Sequence, residues 1–227
     1  GFQVYLFEDL RPTPELSYTI RHFGCQSGVV ITASHNPKEY NGYKAYWEDG
    51  GQLISPHDTN VIKEVQKIKS IEDVKTVPKE ENIKLIGTNI DRLYIEELVG
   101  LSLSPEAIRQ QKDLKIVFTP LHGTSIKLVP YALTAFGFTK IHVVEEQAVI
   151  DGNFPTVKSP NPEEASALDK ALKLAREIND GRPLTEYELT DDGRKYINYR
   201  DMSVQQLGSI YERLIEHEVV RENGEIR

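Results

Sequence analysis

The feature that most constrains the fold is an alternation of strand-like and helix-like segments. Residues 2–7 form an alternating run typical of a strand, and residues 28–32 form a β-branched run typical of a strand buried on both faces. Between them, residues 15–23 place apolar side chains at helical spacing. Because alternating strands and helices favour a parallel sheet covered by helices, the sequence predicts an α/β fold.

The same alternation continues along the chain and predicts a second unit of the same type. A helical region over 88–109 has one apolar face and is expected to link the two units. Gly137 follows the next helical segment in the position typical of a C-cap. The remaining predicted elements are helices at 60–68, 128–135 and 163–178 and strands at 114–119 and 141–144.

Composition and charge exclude several classes of protein. Hydrophobic residues make up 39% and charged residues 27%, as in ordinary globular chains, and no apolar stretch approaches the roughly 20 residues of a membrane helix. The 27 basic and 35 acidic residues give a net charge of −8, which disfavours a dedicated nucleic-acid binder. A few local cations can still bind a small anion.

The cysteine and methionine content bears on location and completeness. The single cysteine, Cys25, cannot form an internal disulfide, which favours a reducing cytoplasm and an inert residue before a strand. The first residues lack the basic and apolar regions of a secretory signal. Met202 is the only methionine, so we interpret the chain as a fragment that lacks its natural N-terminus.

The sharpest local feature is a polar loop directly after the strand predicted at 28–32. Ser34 lies beyond the carboxyl end of that strand, where open α/β sheets bind ligands. His35 can donate or accept a proton, and the Pro that follows Asn36 restricts the turn. Lys44 supplies a positive charge suited to a phosphate. The alternative is a polar turn without chemistry, and no hydrolase elbow or glycine-rich phosphate loop is present.

Three segments in order resemble the α-D-phosphohexomutases, the phosphoglucomutase and phosphomannomutase family. Thr-Ala-Ser-His-Asn-Pro at 32–37, followed by Asn-Gly-Tyr-Lys at 41–44, is similar to the active-site loop of that family. Residues 9–14 resemble the segment before its catalytic strand, and 118–124 resemble the opening of its second domain. The resemblance covers residues 1 to about 178.

The resemblance implies mixed, mostly parallel sheets covered by helices in two partial phosphohexomutase-type α/β/α domains, followed by a short α+β tail. Residues 1–87 would be a partial domain I with the catalytic serine, 88–112 a linking helix and 113–179 a partial domain II. Residues 180–227 remain an unassigned tail.

The resemblance also implies a cytoplasmic isomerase that moves phosphate between C1 and C6 of a hexose phosphate through a hexose 1,6-bisphosphate. Ser34 would carry the phosphoryl group and contact Mg²⁺ through it. His35 and Lys44 are candidates for proton transfer or stabilisation of substrate oxygens. Asn36 would shape the loop and contact substrate, and His122 would either line the cleft or stabilise a turn.

Several family features are missing from the sequence. An Asp-x-Asp-x-Asp-Arg metal loop is expected after the helix that ends near Ile178, but residues 179–183 read otherwise. The acidic cluster at 191–194 lacks that spacing and is interpreted as a turn. The third and fourth domains are also absent, so we expect little or no turnover from this chain. A truncated, non-catalytic lobe that binds sugar phosphate or only folds is the alternative.

The tail has a weaker resemblance of its own. Ser203 and Gln206 form a capping-box pattern, and residues 206–214 are similar to a helix of adenine-specific DNA methyltransferase and restriction proteins. The catalytic Asn-Pro-Pro-Tyr motif of those proteins is absent, and an amphipathic packing helix is the simpler interpretation. A fusion to a piece of a DNA-modification protein is a further alternative. Asn223-Gly224 predicts a hairpin turn.

Overall fold

The computed structural model describes residues 2–74, 79–161 and 164–179, and in the tail the backbone of four short strands. It divides into two units, Gly1–Thr156 and Val157–Arg227. The first unit contains the serine loop and both pairs of parallel strands.

The first half of this unit pairs strands from distant parts of the sequence. Strand β1 runs parallel to β4, whereas β2 and β3 form an antiparallel hairpin. Helix α1 has a Pro in its first turn and ends at Gly24, whose φ of 61° is the left-handed C-cap conformation. The elements are β1 (Val4–Phe7), α1 (Thr13–Phe23), β2 (Ser27–Thr32), β3 (Gly42–Trp47), α2 (His57–Val65), β4 (Ile83–Ile86) and α3 (Thr88–Gly100).

The second half repeats the strand, helix, strand order. It comprises α4 (Pro105–Gln110), β5 (Lys115–Phe118), α5 (Val129–Phe136) and β6 (Lys140–Val143). Strands β5 and β6 are parallel, and Gly137 closes α5 with a φ of 112°, as the sequence predicts. The helical region predicted at 88–109 is two helices, because Pro105 cannot continue a helix and instead begins α4.

The α/β class with parallel strand pairs and helices is confirmed, but the expected burial of residues 28–32 is wrong. Val29 is 43% exposed and Ile31 67% exposed. Among the described residues β2 pairs only with β3, and the small residue Gly28 packs against Ile20 of α1 on one face. A two-stranded hairpin that is covered on one face leaves its other face exposed. The β-branched residues of β2 therefore did not predict how deeply the strand is buried.

The core of the first unit lies where α1 and α3 meet. Ile20 on α1 and Ile95 on α3 are each 2% exposed, and Tyr5 on β1 stacks on Phe23 with ring centroids 4.2 Å apart. Arg11, two residues before α1, forms a bidentate pair with Asp91 on α3.

The second unit is smaller. A 3₁₀ turn at Ala165–Leu168 leads into α6 (Asp169–Ile178), within the predicted 163–178 helix. Strands β7 (Glu186–Thr190) and β8 (Gly193–Ile197) pair antiparallel, as do β9 (Arg221–Glu222) and β10 (Glu225–Ile226). The predicted helix of the tail and most of the turns at 191–194 and 223–224 lie outside the described residues.

Within the part of the chain that the structure describes, none of the helices combines the length and apolar character that crossing a bilayer requires.

Candidate active site

Ser34 stands at an exposed turn between β2 and β3. Its φ is 58°, a left-handed conformation that is uncommon for a non-glycine residue. Its backbone N–H donates to Thr32 Oγ1 at 3.0 Å, and the N–H of Asn36 donates to the carbonyl of Ala33 at 3.0 Å. These two bonds fix the turn and present the Ser34 hydroxyl to solvent.

His35 and Asn36 occupy the same exposed turn. The Nδ1 of His35 lies 3.4 Å from Ser34 Oγ, at the long limit of a hydrogen bond. The Asn36 backbone closes the turn, which agrees with a loop-shaping role. The structure therefore places the Ser34 hydroxyl beside the His35 imidazole, and any hydrogen bond between them is weak.

Lys44 lies on β3 and belongs to the same hairpin as Ser34. The hairpin closes at the pair Thr32 and Gly42, and Lys44 faces Val30 two pairs further along. Lys44 is half-buried. The antiparallel register thus places the Lys44 ammonium group on β3, two residues after the pair that closes the hairpin.

His122 is placed differently from the other four predicted site residues. It is 3% exposed, and its Nδ1 lies 2.8 Å from the carbonyl oxygen of Val149. Because a carbonyl only accepts, Nδ1 carries the proton, and Nε2 accepts from Thr156 Oγ1 at 2.9 Å. Both ring nitrogens are thereby used inside the fold. These contacts favour the turn-stabilising alternative over a role in the cleft.

The matches to family profiles follow the two halves of this architecture. Residues 1–72 match Phosphoglucomutase/phosphomannomutase, alpha/beta/alpha domain I. Residues 92–182 match Phosphoglucomutase/phosphomannomutase, alpha/beta/alpha domain II. The chain belongs to the phosphoglucomutase/phosphomannomutase family.

Curated relatives carry three different mutase names. The chain is 37% identical over 182 residues to the "Probable phosphomannomutase" of Haemophilus influenzae, which covers 79% of this chain and 36% of the relative. It is 38% identical over 185 residues to a "Phosphoglucomutase" of Staphylococcus haemolyticus, covering 78% and 32%. It is 37% identical over 177 residues to the human "Phosphopentomutase", covering 74% and 28%. The chain thus spans about a third of the length of these relatives.

A solved structure supports the fold. The crystal structure of a putative phosphomannomutase from Thermus thermophilus superposes with a TM-score of 0.57 at 22% identity, and the match covers 85% of this chain and 40% of that one. At this identity the likeness shows the fold and says nothing about the chemistry of the site.

The described residues do not fit a complete magnesium site of the mutase family. No group of three or more His, Cys, Asp or Glu side chains gathers in a metal-binding arrangement among residues 2–74, 79–161 and 164–179. Among these residues, Ser34 Oγ contacts an imidazole nitrogen, whereas Mg²⁺ prefers oxygen ligands. A phosphate on Ser34 would supply oxygen ligands but not the carboxylates that complete such a site.

Sequence reasoning missed a contact between the serine loop and the second half of the unit. After Pro37 the chain forms a 3₁₀ turn, Lys38–Tyr40, and the Nζ of Lys38 donates to Asn153 Oδ1 at 2.6 Å. The two residues are 115 positions apart, and nothing in the pattern of either segment indicates the pairing.

A buried ionic cluster between α1 and α3 was also missed. Glu15 is fully buried, and neither carboxyl oxygen makes a hydrogen bond within the described residues. Burial and the adjacent Asp91 carboxylate raise the pKa of Glu15 to about 8, against the lowering effect of Arg11. Burial also acts to raise the pKa of Asp91, but the Arg11 guanidinium holds it below its ordinary value. The helical spacing that placed Glu15 on α1 could not show which face it occupies.

Proposed function

We propose that this chain supplies the phosphoserine loop of a phosphosugar mutase, an isomerase that transfers phosphate within a hexose phosphate. The observation that supports it best is the Ser34 turn: a serine in left-handed conformation, held by hydrogen bonds from the N–H groups of Ser34 and Asn36, with its hydroxyl exposed beside an imidazole. A nucleophile that meets a bulky sugar phosphate needs such an exposed and fixed position.

The transfer takes place in two half-reactions. Phosphoserine 34 first gives its phosphoryl group to a free hydroxyl of the hexose monophosphate. The bond from phosphorus to Ser34 Oγ breaks, a bond to the sugar oxygen forms, the hydroxyl proton leaves and Oγ takes up a proton. The resulting hexose 1,6-bisphosphate then returns its other phosphoryl group to Ser34, which leaves the isomeric monophosphate.

His35 and Lys44 contribute proton transfer and charge. The imidazole beside Ser34 Oγ can hold the proton that the sugar hydroxyl releases. Lys44, on the same hairpin, neutralises part of the negative charge of the phosphoryl group. Asn36 holds the turn and offers its amide to the substrate, and His122 acts by stabilising the loop around it. The burial of His122 argues against direct contact between its side chain and the substrate.

Phosphorylation would give Ser34 nearly two negative charges, which a hard divalent cation balances. Mg²⁺ is the proposed ion, bound through the Ser34 phosphate. Its carboxylate ligands would have to come from outside the described residues, because those residues hold no such group. The proposed setting is the cytoplasm, in keeping with a single cysteine.

One observation favours the second candidate, a lobe that binds or folds without turning over. The described residues supply the Ser34 hydroxyl, the His35 imidazole and the Lys44 ammonium. They contain no cluster of metal-binding carboxylates. Such a lobe would not take phosphate from a hexose bisphosphate, which separates the two candidates.

The experiment measures incorporation of labelled phosphate from glucose 1,6-bisphosphate in the presence of Mg²⁺. Ser34→Ala is the variant, and Ser55→Ala is the matched control because Ser55 is also exposed but lies outside the loop. The proposal predicts label in the wild type and in Ser55→Ala and none in Ser34→Ala. Equal labelling of all three proteins, or none in a folded wild type, would refute it.

A further inference from the structure

The amide of Asn153 is held in one orientation between two opposite charges. Its Nδ2 donates to Asp151 Oδ1 at 3.0 Å, and its Oδ1 accepts from Lys38 Nζ at 2.6 Å. A flipped amide would direct its NH₂ group at the ammonium and its oxygen at the carboxylate, which is unfavourable at both ends. The pair of contacts therefore favours one orientation of the amide.

Asn153 itself sits in a tightly bonded turn. The Asp151 side chain also accepts from the Asn153 backbone N–H at 2.8 Å, and the Asp151 carbonyl accepts from Phe154 N–H at 3.1 Å. Phe154 has a φ of 49°, so the turn holds a non-glycine residue in the left-handed region. A turn with this bonding is a firm point of attachment.

The turn is anchored to the buried imidazole of His122. The His122 carbonyl accepts from Asp151 N–H at 3.1 Å, and its ring bonds Val149 on one side of the turn and Thr156 on the other. Gln147, fully buried, donates to Thr156 Oγ1 at 2.9 Å and accepts from Thr119 at 2.6 Å. The segment 147–156 is thus fastened to the end of β5 by buried hydrogen bonds.

We propose that Asn153 is a positioning residue for the Ser34 loop, acting through Lys38. Lys38 opens the 3₁₀ turn that follows Pro37, only four residues after Ser34, so holding its ammonium restrains the loop. The contacts lead from buried His122 through the Asp151 turn to Lys38 in an exposed loop, whose backbone N–H groups at Asn36, Tyr40 and Asn41 donate to carbonyls of the loop itself. This inference rests on the proposed function for its effect on rate, but the contact itself can be tested apart from it.

The first test measures the rate of Ser34 phosphorylation by glucose 1,6-bisphosphate in Asn153→Ala, in Lys38→Ala and in the double variant. We expect each single variant to slow transfer about three- to tenfold, as for loss of one exposed hydrogen bond to a charged group. The double variant should be no slower than either single one, because both remove the same contact. Lys38→Arg, which can still donate to Asn153, should recover most of the rate.

Two controls match the chemistry of the variants. Asn60→Ala and Lys63→Ala change exposed residues of the same types on α2, and both should leave the rate at the wild-type value. A loss of rate in Lys38→Ala without one in Asn153→Ala would overturn the proposal, because Lys38 would then act on the phosphate directly. Unchanged rates in both variants would also overturn it.

The second test does not depend on phosphorylation. Hydrogen exchange follows the loop amides of Asn36, Tyr40 and Asn41, which donate to carbonyls within the loop. Asn153→Ala should raise their exchange rates while the amides of α3 stay unchanged. If the wild type takes up no phosphate, the proposed function fails, yet faster loop exchange would still support the restraint by Asn153. Unchanged loop exchange would overturn it in either case.

Discussion

Ser34 Oγ and His35 Nδ1 lie 3.4 Å apart at the exposed end of the hairpin that joins β2 and β3. The distance is long for an O–H···N bond, so the imidazole does not hold the serine proton firmly in this state. A phosphoryl carrier has no need of a strongly activated serine, because phosphoryl transfer depends on position and charge neutralisation. Under the proposed function, this leaves His35 available to accept the proton of an incoming hydroxyl.

Substitution of the two histidines should have different effects: His122 contributes to stability, and His35 contributes to the phosphorylation of Ser34. His122→Ala removes a buried ring with two hydrogen bonds and should lower the free energy of unfolding by about 2 to 4 kcal/mol. His35→Ala changes an exposed residue and should change it by less than about 0.5 kcal/mol while slowing phosphorylation of Ser34. Urea unfolding gives the first quantity, and equal losses in both variants would contradict the assignment.

Glu15 predicts how stability depends on pH. Its pKa is about 8 in the folded protein against 4.5 ordinarily, so between about pH 5 and 8 the unfolded chain ionises it and the folded chain does not. The folded state then binds more protons, and stability falls as pH rises through this window. Glu15→Gln, which cannot ionise, should remove a decline of about 3.5 kcal/mol between pH 5 and 8.

The measurement is the urea midpoint of wild type and Glu15→Gln at several values between pH 5 and 8. Asp91 does not contribute to the change in stability between pH 5 and 8, because its pKa is lowered and it titrates below this range. Parallel pH profiles for the two proteins would show that Glu15 ionises normally in the fold.

Gly28 tests the packing of the hairpin on α1. A Cβ added at Gly28 would lie 2.4 Å from Ile20 Cδ1 and 2.8 Å from its Cγ1, and Ile20 is buried and cannot move away freely. Gly28→Ala should therefore cost about 1 to 3 kcal/mol. Gly100→Ala meets no atom within 4 Å at the end of α3 and should be neutral or slightly stabilising. Thermal unfolding compares them, and equal shifts would contradict this packing.

Lys44 should act on charge rather than on folding. Lys44→Met keeps the length of the side chain on β3 but removes the cation, so we expect slower phosphorylation of Ser34 by about tenfold or more with little change in stability. Lys44→Arg should restore part of the rate. The rate of label uptake measures this, and a wild-type rate in Lys44→Met would exclude Lys44 from the site.

The elements and the serine loop were predictable because their signals are local. Gly137 closes α5 as its position after the apolar segment predicts, and the motif around Ser34 identifies its turn. Each of these depends on the conformational preference of one or two residues. Local signals therefore placed the proposed nucleophile correctly on a turn after β2.

What the sequence could not predict depends on contacts between distant residues. The open face of β2 follows from the packing of α1 on only one side of the hairpin, which the apolar run of β2 does not reveal. The burial of His122 follows from a turn nearly 30 residues away, and the bond of Lys38 to Asn153 spans 115 residues. The pKa of Glu15 likewise follows from where α3 packs against α1. No local pattern encodes these relationships.

The most direct test of the central proposal is to locate the phosphate itself. The intact chain would be incubated with glucose 1,6-bisphosphate and Mg²⁺, digested, and every serine-containing peptide examined by mass spectrometry, with Ser34→Ala as control. We expect one phosphate, on Ser34, that is absent from the variant. Phosphate on other serines only, or on none in a chain shown to be folded, would contradict it.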